Sequence, residues 1–345
     1  MGHGKDSCGK DKDIMMRVVP YQVEYHDRVY ELWKKSGINQ GYAPLSEEEF
    51  DSLLLCHKAF SPKHAFVMLE EKKICGFICG CSADGIPEAA DGGYFTCLLI
   101  LPKYDIIKNV RSLLSALEIS FWKAGKKRII CSYFNPIRLP WMIPDTKGCQ
   151  HNNAPGIAID LPLYEKMVRC GYRDRVRECA MYLDLSGFEI SDAIIEKEKK
   201  ASEEGYTIEW YNSKKHTELR EMVDSMNNSM WSSEIPYAAE YINMLVAVKE
   251  NKVVGFTGPV YPEKTGRGYF AGIAVSAKHE KHGLGTLLFY RLCLEEKKAG
   301  SAYMSLFTGL DNHAQKIYMA AGFQVKRIFS VMEKEIAKEE KNGIK

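Results

Sequence analysis

Two stretches of this 345-residue sequence combine residue types and spacing that could do chemistry. In the first, Gly283-Leu284-Gly285 stands where an apolar, partly β-branched run, Tyr269 to Val275, gives way to Leu287, Leu288, Tyr290, Leu292 and Leu294 at helical spacing. Glycine lets backbone approach a ligand closely, and the free amides of a helix N-terminus offer partial positive charge to phosphate oxygens. Lys281 and His282 add donors beside the turn. A Gly-x-Gly before a helix is also compatible with a plain tight turn. In the second stretch Tyr318 offers a phenol that stays protonated at neutral pH and can give up a proton. Taken alone, Tyr318 also fits a half-buried aromatic on a core helix.

These groups need elements to hold them. Tyr269 to Val275 reads as a buried strand that delivers the chain to the glycine turn, and the leucine-rich run beyond as a helix. Ala302 to Phe307 reads as another strand. It is followed by Asp311-Asn312-His313-Ala314-Gln315-Lys316-Ile317-Tyr318-Met319-Ala320-Ala321-Gly322-Phe323. Asp311 or Asn312 can cap that helix with a side-chain oxygen, and Gly322 can end it in a left-handed conformation.

The spacing from Glu280 through Gly283 to Gly285 resembles the acyl-CoA-binding loop of the GNAT superfamily of acyltransferases: Arg or Gln, two residues, Gly, any residue, Gly or Ala. The block from Asn312 to Phe323 resembles the second signature of that superfamily. Glu280 departs from the pattern, because a basic or amide residue is usual there; either its side chain turns outward or CoA binding is weakened. The resemblance covers roughly residues 206 to 335. It implies acetyl-CoA as acyl donor, no metal, and direct attack of a primary amine on the thioester. Tyr318 is then the general acid that protonates the CoA thiolate, its pKa of about 10 lying close enough to the about 8.5 of a thiol. A backbone N–H from the edge formed by Ile273, Ala274 and Val275 is the implied oxyanion donor. Glu280, Lys281, His282, Gly283, Leu284, Gly285 and Thr286 would surround the pyrophosphate, and Asn312 would bond the pantetheine or orient the acceptor. Glu234, in Trp231-Ser232-Ser233-Glu234-Ile235-Pro236-Tyr237, falls where the family's specificity loop lies; it can bind an amine or relay its proton, with ordinary surface exposure as the competing reading. The run from Arg267 to Val275 has no carboxylate, so no other general base is named.

The same order of elements can be read upstream: strand Arg17 to Glu24, helix His26 to Lys35, a hairpin from Ala65 to Glu70 and Lys73 to Cys81, strand Gly93 to Leu101, helix Ile106 to Trp122 and strand Arg128 to Phe134. Leu163 to Tyr172 echoes the closing helix with its Gly171-Tyr172 end. The expected fold is therefore α/β, with an α+β mixed sheet: two tandem GNAT-like domains, each a twisted mixed β-sheet flanked by helices. No glycine occurs between Gly93 and Gly125, and Asp105 would repel a phosphate, so the first copy is expected to be degenerate. The expected boundaries are a disordered leader at 1–13, the degenerate domain at 14–185, a charged linker at 186–205, the acetyltransferase domain at 206–335 and a tail at 336–345. A proline-rich insertion from Asn135 to Gly156 is either a substrate-reaching loop, with Arg138, Trp141 and His151 as contacts, or a surface loop whose Trp141 covers an apolar patch.

Composition narrows the remaining classes. A formal net charge of +2 does not favour a nucleic-acid binder. No apolar run approaches the ~18 residues that span a bilayer, and the polar, glycine-rich start is unlike a secretory signal, so a cytoplasmic protein without membrane contact is expected. Cys75, Cys79 and Cys81 form no zinc spacing, and most of the eleven cysteines read as free core thiols. The expected partner is a small-molecule or peptide amine. Two alternatives are a non-catalytic acyl-CoA sensor, which Glu280 would permit, and a tandem enzyme resembling mycothiol synthase.

Overall fold

The computed structural model describes residues 16–83 and 87–336. The leader expected at 1–13 and the tail beyond Ile336 lie outside the described residues. By its internal contacts the chain forms two compact units, one of Met1–Pro140, Asn152–Arg175 and Ser330–Lys345, the other of Trp141–His151 and Val176–Phe329.

In the first unit, strands Met16–Pro20, Ala65–Glu70, Lys73–Cys81 and Gly92–Ile100 pair antiparallel in sequence order. Arg128–Cys131 joins parallel to the start of Gly92–Ile100, and residues 332–335 pair antiparallel with Arg128–Cys131. All nine positions of Gly92–Ile100 are buried. The reason is cover on both faces: Tyr94, Cys97 and Leu99 pack with Val29, Leu32 and Trp33 of helix His26–Ser36, while Phe95, Leu98 and Ile100 pack with helix Ile107–Lys123. The latter helix turns Val110, Leu113, Leu114, Leu117 and Phe121 inward, a helical period of about 3.6.

In the second unit, Tyr206–Trp210, Leu245–Lys249, Lys252–Gly258 and Gly272–Val275 form an antiparallel sheet. Alternation along Leu245–Lys249 sends Leu245 and Ala247 into one core with helix Leu284–Ala299, and Val246 and Val248 into another with helices Leu219–Asp224 and Ser229–Tyr241. Tyr303–Gly309 pairs antiparallel with residues 178–184 and parallel with Arg267–Gly268. Helix Gln315–Ala320 follows, and Gly322 at φ 96 ends it as expected.

Three local readings change. The run read as one strand from Tyr269 to Val275 is interrupted, with Arg267–Gly268 and Gly272–Val275 as separate strands. Trp231 to Tyr237, read as a loop, lies in helix Ser229–Tyr241; Asn228 caps that helix through Oδ1, and the helix continues past Pro236. The segment at 186–205, expected as a charged, solvated helix joining two units, does contain helix Asp192–Glu203, but Ile194 and Ala201 are buried in a core of the second unit. Its charged residues cover the solvent side of an amphipathic helix, a pattern that charge alone does not separate from a connector. Among the described residues no helix is long and apolar enough to cross a membrane.

Candidate active site

A bulge opens the sheet of the second unit. Gly258 stands opposite Gly272 in the ladder and also accepts a hydrogen bond from the Ala271 amide at 3.3 Å, so two residues face one. Side-chain directions agree. Phe270 and Ile273 pack toward the core that holds helix Leu284–Ala299, whereas Ala271 and Ala274 pack toward the core of helix Ser229–Tyr241. At Gly272 a Cβ would lie 2.5 Å from Cζ2 of Trp231, whose Nε1 donates to Ala271 O at 3.2 Å. Only glycine admits that indole against the strand.

Past the bulge the strand loses one neighbour. Arg267 and Gly268 pair with Tyr303 and Met304, but Gly272–Val275 ends its own sheet and has no partner on its far side among the described residues. In an antiparallel ladder alternate residues bond the neighbouring strand. Ser276 N donates to Val254 O at 2.8 Å, which gives the bonded positions to Ala274 and Ser276. The amides of Ile273 and Val275 therefore point into the gap, and Ala274, grouped with them on sequence, points its amide toward Phe256.

The strand then enters the glycine turn. Gly283 is left-handed at φ 75 and caps helix Leu284–Ala299, whose first internal bond, Leu287 N to Gly283 O, measures 3.1 Å. The amides of Leu284, Gly285 and Thr286 thus have no intrahelical partner. Lys281 is also left-handed, at φ 69, and exposed. Glu280 is exposed as well. His282 is bonded through Nδ1 to Glu204, and His279 shares a hydrogen bond of 3.0 Å with the Tyr206 hydroxyl. Burial, with Lys249 adding to it, holds the His279 imidazole below its ordinary pKa. Lys197, from the helix read as a linker, lays its stem over the turn: Cδ lies 2.9 Å from where a Gly283 Cβ would stand. Sequence reading missed Lys197 because nothing local to residues 276–286 points to a helix about eighty positions upstream.

Tyr318 is 4% exposed, packed against Phe289 with ring centroids 4.6 Å apart and against Phe270 at 6.2 Å. Burial, with Cys179 adding a little, pushes its pKa up to about 12. Its neighbour Ile317 comes within 3.5 Å of a Gly285 Cβ position, so this helix and the glycine turn are packed together. Asn312 is exposed, and its Oδ1 accepts from Ala314 N at 2.9 Å in a turn ahead of helix Gln315–Ala320, whose N-cap is Ala314 without a side-chain bond, so neither Asp311 nor Asn312 caps the helix as expected.

On the other face, Glu234 is half-buried and accepts a 2.7 Å hydrogen bond from the Tyr269 hydroxyl. Tyr269 stacks on Tyr261, centroids 4.8 Å apart. Glu234 and Trp231 thus both border the run from Tyr269 to Gly272, while Tyr237 is 65% exposed. Of the insertion, Trp141 and His151 are buried. They pack on Phe307, and His151 Nδ1 meets Ser305 Oγ at 2.8 Å. The cysteines among the described residues are free.

An elongated donor with a phosphate end fits these features: amides face an open gap, and the turn at its end holds Gly283 at a left-handed φ that disfavours a side chain. Residues 240–325 match the family model described as acetyltransferase (GNAT) domain. No curated protein matches the sequence. Among solved structures the chain is similar to the GCN5-related glucosamine N-acetyltransferase region of a fungal multi-domain GH3 β-N-acetylglucosaminidase. The TM-score is 0.65 at 16% identity, over 93% of this chain and 38% of that one, so this chain spans well under half of that protein. It is also similar to a GCN5-related N-acetyltransferase from Sphaerobacter thermophilus, at TM-score 0.58 and 14% identity over 94% of this chain and 96% of that one. A tandem GNAT protein from the clavulanic acid biosynthesis pathway gives 0.56 and 15% over 94% and 100%. At such identities the similarity is one of fold. Residues 240–325 thus match a GNAT acetyltransferase domain, and over most of its length the chain has a fold similar to that of a tandem GNAT protein.

Proposed function

We propose that the second unit transfers an acetyl group from acetyl-CoA to a primary amine by direct attack. The observation that carries this reading is the bulged strand, whose Ile273 and Val275 amides face an unpaired gap that ends at the left-handed Gly283. In the reaction the amine nitrogen attacks the thioester carbonyl carbon, and the oxygen takes the negative charge beside the Ile273 amide. The C–S bond then breaks, and the sulfur takes the proton of the Tyr318 hydroxyl. Tyr318 regains a proton from solvent. The proton lost by the amine passes to Glu234, which Tyr269 holds at the acceptor side of the strand. A phenol at about 12 is a weaker acid than a free one, yet a thiolate released against the same apolar wall is raised by the same desolvation, so transfer remains feasible. The amides of Leu284, Gly285 and Thr286 bind the pyrophosphate, with Lys281 and Lys197 adding charge and Glu280 turned to solvent.

Similarity to the glucosamine N-acetyltransferase region favours an amino sugar as the acceptor to try first. The test is release of free thiol from acetyl-CoA against glucosamine, polyamines, amino acids and lysine peptides, with calorimetry of acetyl-CoA alone. Thiol release that depends on one amine supports the reading. Binding without release on any acceptor would favour a non-catalytic acyl-CoA sensor, and no binding would end both.

A further inference from the structure

Thr308 carries a hydroxyl that the folded chain leaves unused. The residue is 5% exposed, and its Oγ1 is a buried atom with no hydrogen-bond partner among the described residues. Burying a hydroxyl without a partner forfeits its hydration and gains nothing in return. Such an atom calls for a ligand, and its place in the sheet says which.

Thr308 stands opposite Cys179, Leu306 opposite Met181 and Met304 opposite Leu183. Side chains alternate along a strand, so Thr308 shares a face with Met304 and Leu306. That face looks into the core that contains Tyr318 and Cys179. On its other edge the strand is parallel to Arg267 and Gly268 only. Parallel strands advance in step, so four residues beyond the Gly268–Met304 pair bring Thr308 level with Gly272. The extra residue of the bulge shifts that level to Ile273, across the gap from the amide that faces it.

We infer that Thr308 Oγ1 donates a hydrogen bond to a carbonyl oxygen of the acyl donor's pantetheine arm at its thioester end. The inference rests on the acyl-CoA reading above and adds a side-chain contact from the strand opposite the bulge. Thr308 is then a donor-binding residue, and its hydroxyl is preorganised by burial at a cost to the ligand-free protein.

Thr308→Val replaces the hydroxyl by a methyl of nearly the same volume, and Thr308→Ser keeps the hydroxyl. Calorimetry with acetyl-CoA and with CoA, and thermal melting of the ligand-free proteins, read the two sides. The expected result for Thr308→Val is an unchanged or raised melting temperature together with a Kd for acetyl-CoA at least fivefold higher; Thr308→Ser should bind within twofold of the parent. Weakening of acetyl-CoA alone assigns the bond to the thioester carbonyl, and equal weakening of CoA assigns it to an amide of the arm. A Thr308→Val protein that binds acetyl-CoA like the parent overturns the inference and leaves the acyl-CoA reading standing. So does a drop of several degrees in its ligand-free melting temperature, since the hydroxyl would then have had a partner already. Failure of the parent itself to bind acetyl-CoA overturns both.

Discussion

Both units bulge the same strand, and they do opposite things with the result. In the first unit Cys79 faces Cys97 and Gly80 faces Phe95, so Thr96 is the extra residue. Parallel pairing with Arg128–Cys131 stops after Tyr94, which parts the strands as in the second unit. There the gap is filled from within: Asn135 Nδ2 donates to Phe95 O at 3.0 Å and to Thr96 Oγ1 at 3.2 Å, while its Oδ1 accepts from Ile137 N and Cys81 Sγ. The turn beyond differs too. Pro102–Tyr104 forms a 3-10 turn, Asp105 pairs with Lys166 at 2.8 Å, and Ile106 rather than a left-handed glycine caps helix Ile107–Lys123. A parted, bulged strand is therefore a property of the scaffold; whether a donor can enter depends on what occupies the gap and how the next helix begins.

The comparison would break outright if calorimetry counted two acetyl-CoA molecules per chain; one is expected. Within the second unit the largest effect should come from Tyr318→Phe. Removing a general acid lowers kcat on the order of a hundredfold or more, while acetyl-CoA affinity stays near that of the parent because the ring remains in place. Parent-like turnover would take Tyr318 out of the chemistry and leave it a core aromatic like Phe289.

The next contrast is electrostatic. Glu296 is fully buried against Gly268, where the strands are still paired, accepting from Ser301 Oγ at 2.6 Å and from Tyr261 N at 3.1 Å. Burial raises its pKa to about 7, with those bonds and Arg267 opposing the rise. A carboxyl whose folded pKa lies above its unfolded value of about 4.3 holds its proton more tightly when folded. Its contribution is complete below about pH 4.3 and is lost as pH climbs toward 7, a difference on the order of 3 kcal/mol. Denaturant melts of the parent and of Glu296→Gln from pH 5 to 8 measure it. The substitution should flatten the decline with rising pH, and identical slopes would refute the assignment.

Asn135→Ala tests the filled gap. It leaves Phe95 O, Thr96 Oγ1 and the Ile137 amide short of a partner, and stability should fall by about 1–2 kcal/mol in denaturant melts. The count of acetyl-CoA should stay at one, because the turn after Ile100 still lacks free helix amides over a left-handed glycine. A second binding event in this variant would make the side-chain plug the sole difference between the units.

What could be read in the sequence was local. The glycine turn and the closing Gly322-Phe323 are short-range patterns, and the strands Ala65–Glu70, Lys73–Cys81 and Leu245–Lys249 fall where alternation and apolar runs placed them. What escaped was set by pairing at a distance. The bulge at Ala271 and Gly272 exists only against Gly258 and Trp231; the unused hydroxyl of Thr308 is visible only once its neighbours are known. Residues 332–335 complete the sheet of the first unit through Arg128–Cys131, about two hundred positions upstream. Buried His151 meets Ser305 from a proline-rich stretch whose sequence fits a surface loop equally well.

Lys197 carries the smallest prediction and bears on the Glu280 departure. Where family members resembling this loop keep a basic or amide side chain, Glu280 is exposed, and the stem of Lys197 crosses the turn with Cε 3.7 Å from the Gly283 Cβ position. In the proposed complex an ammonium one bond further would add positive charge beside an anion held on the helix amides. An exposed charge contributes modestly and is screened by salt, so Lys197→Ala should raise the Kd for CoA about fivefold at low ionic strength and less at 0.5 M salt, with S-acetylpantetheine, which lacks the phosphates, bound as before. Glu280→Gln in that background should recover part of the loss, because it removes the like charge from the same phosphates. If Lys197→Ala changes neither affinity nor salt dependence, the amides of Leu284 to Thr286 bind the pyrophosphate unaided, and the contrast between the two turns narrows to backbone conformation alone.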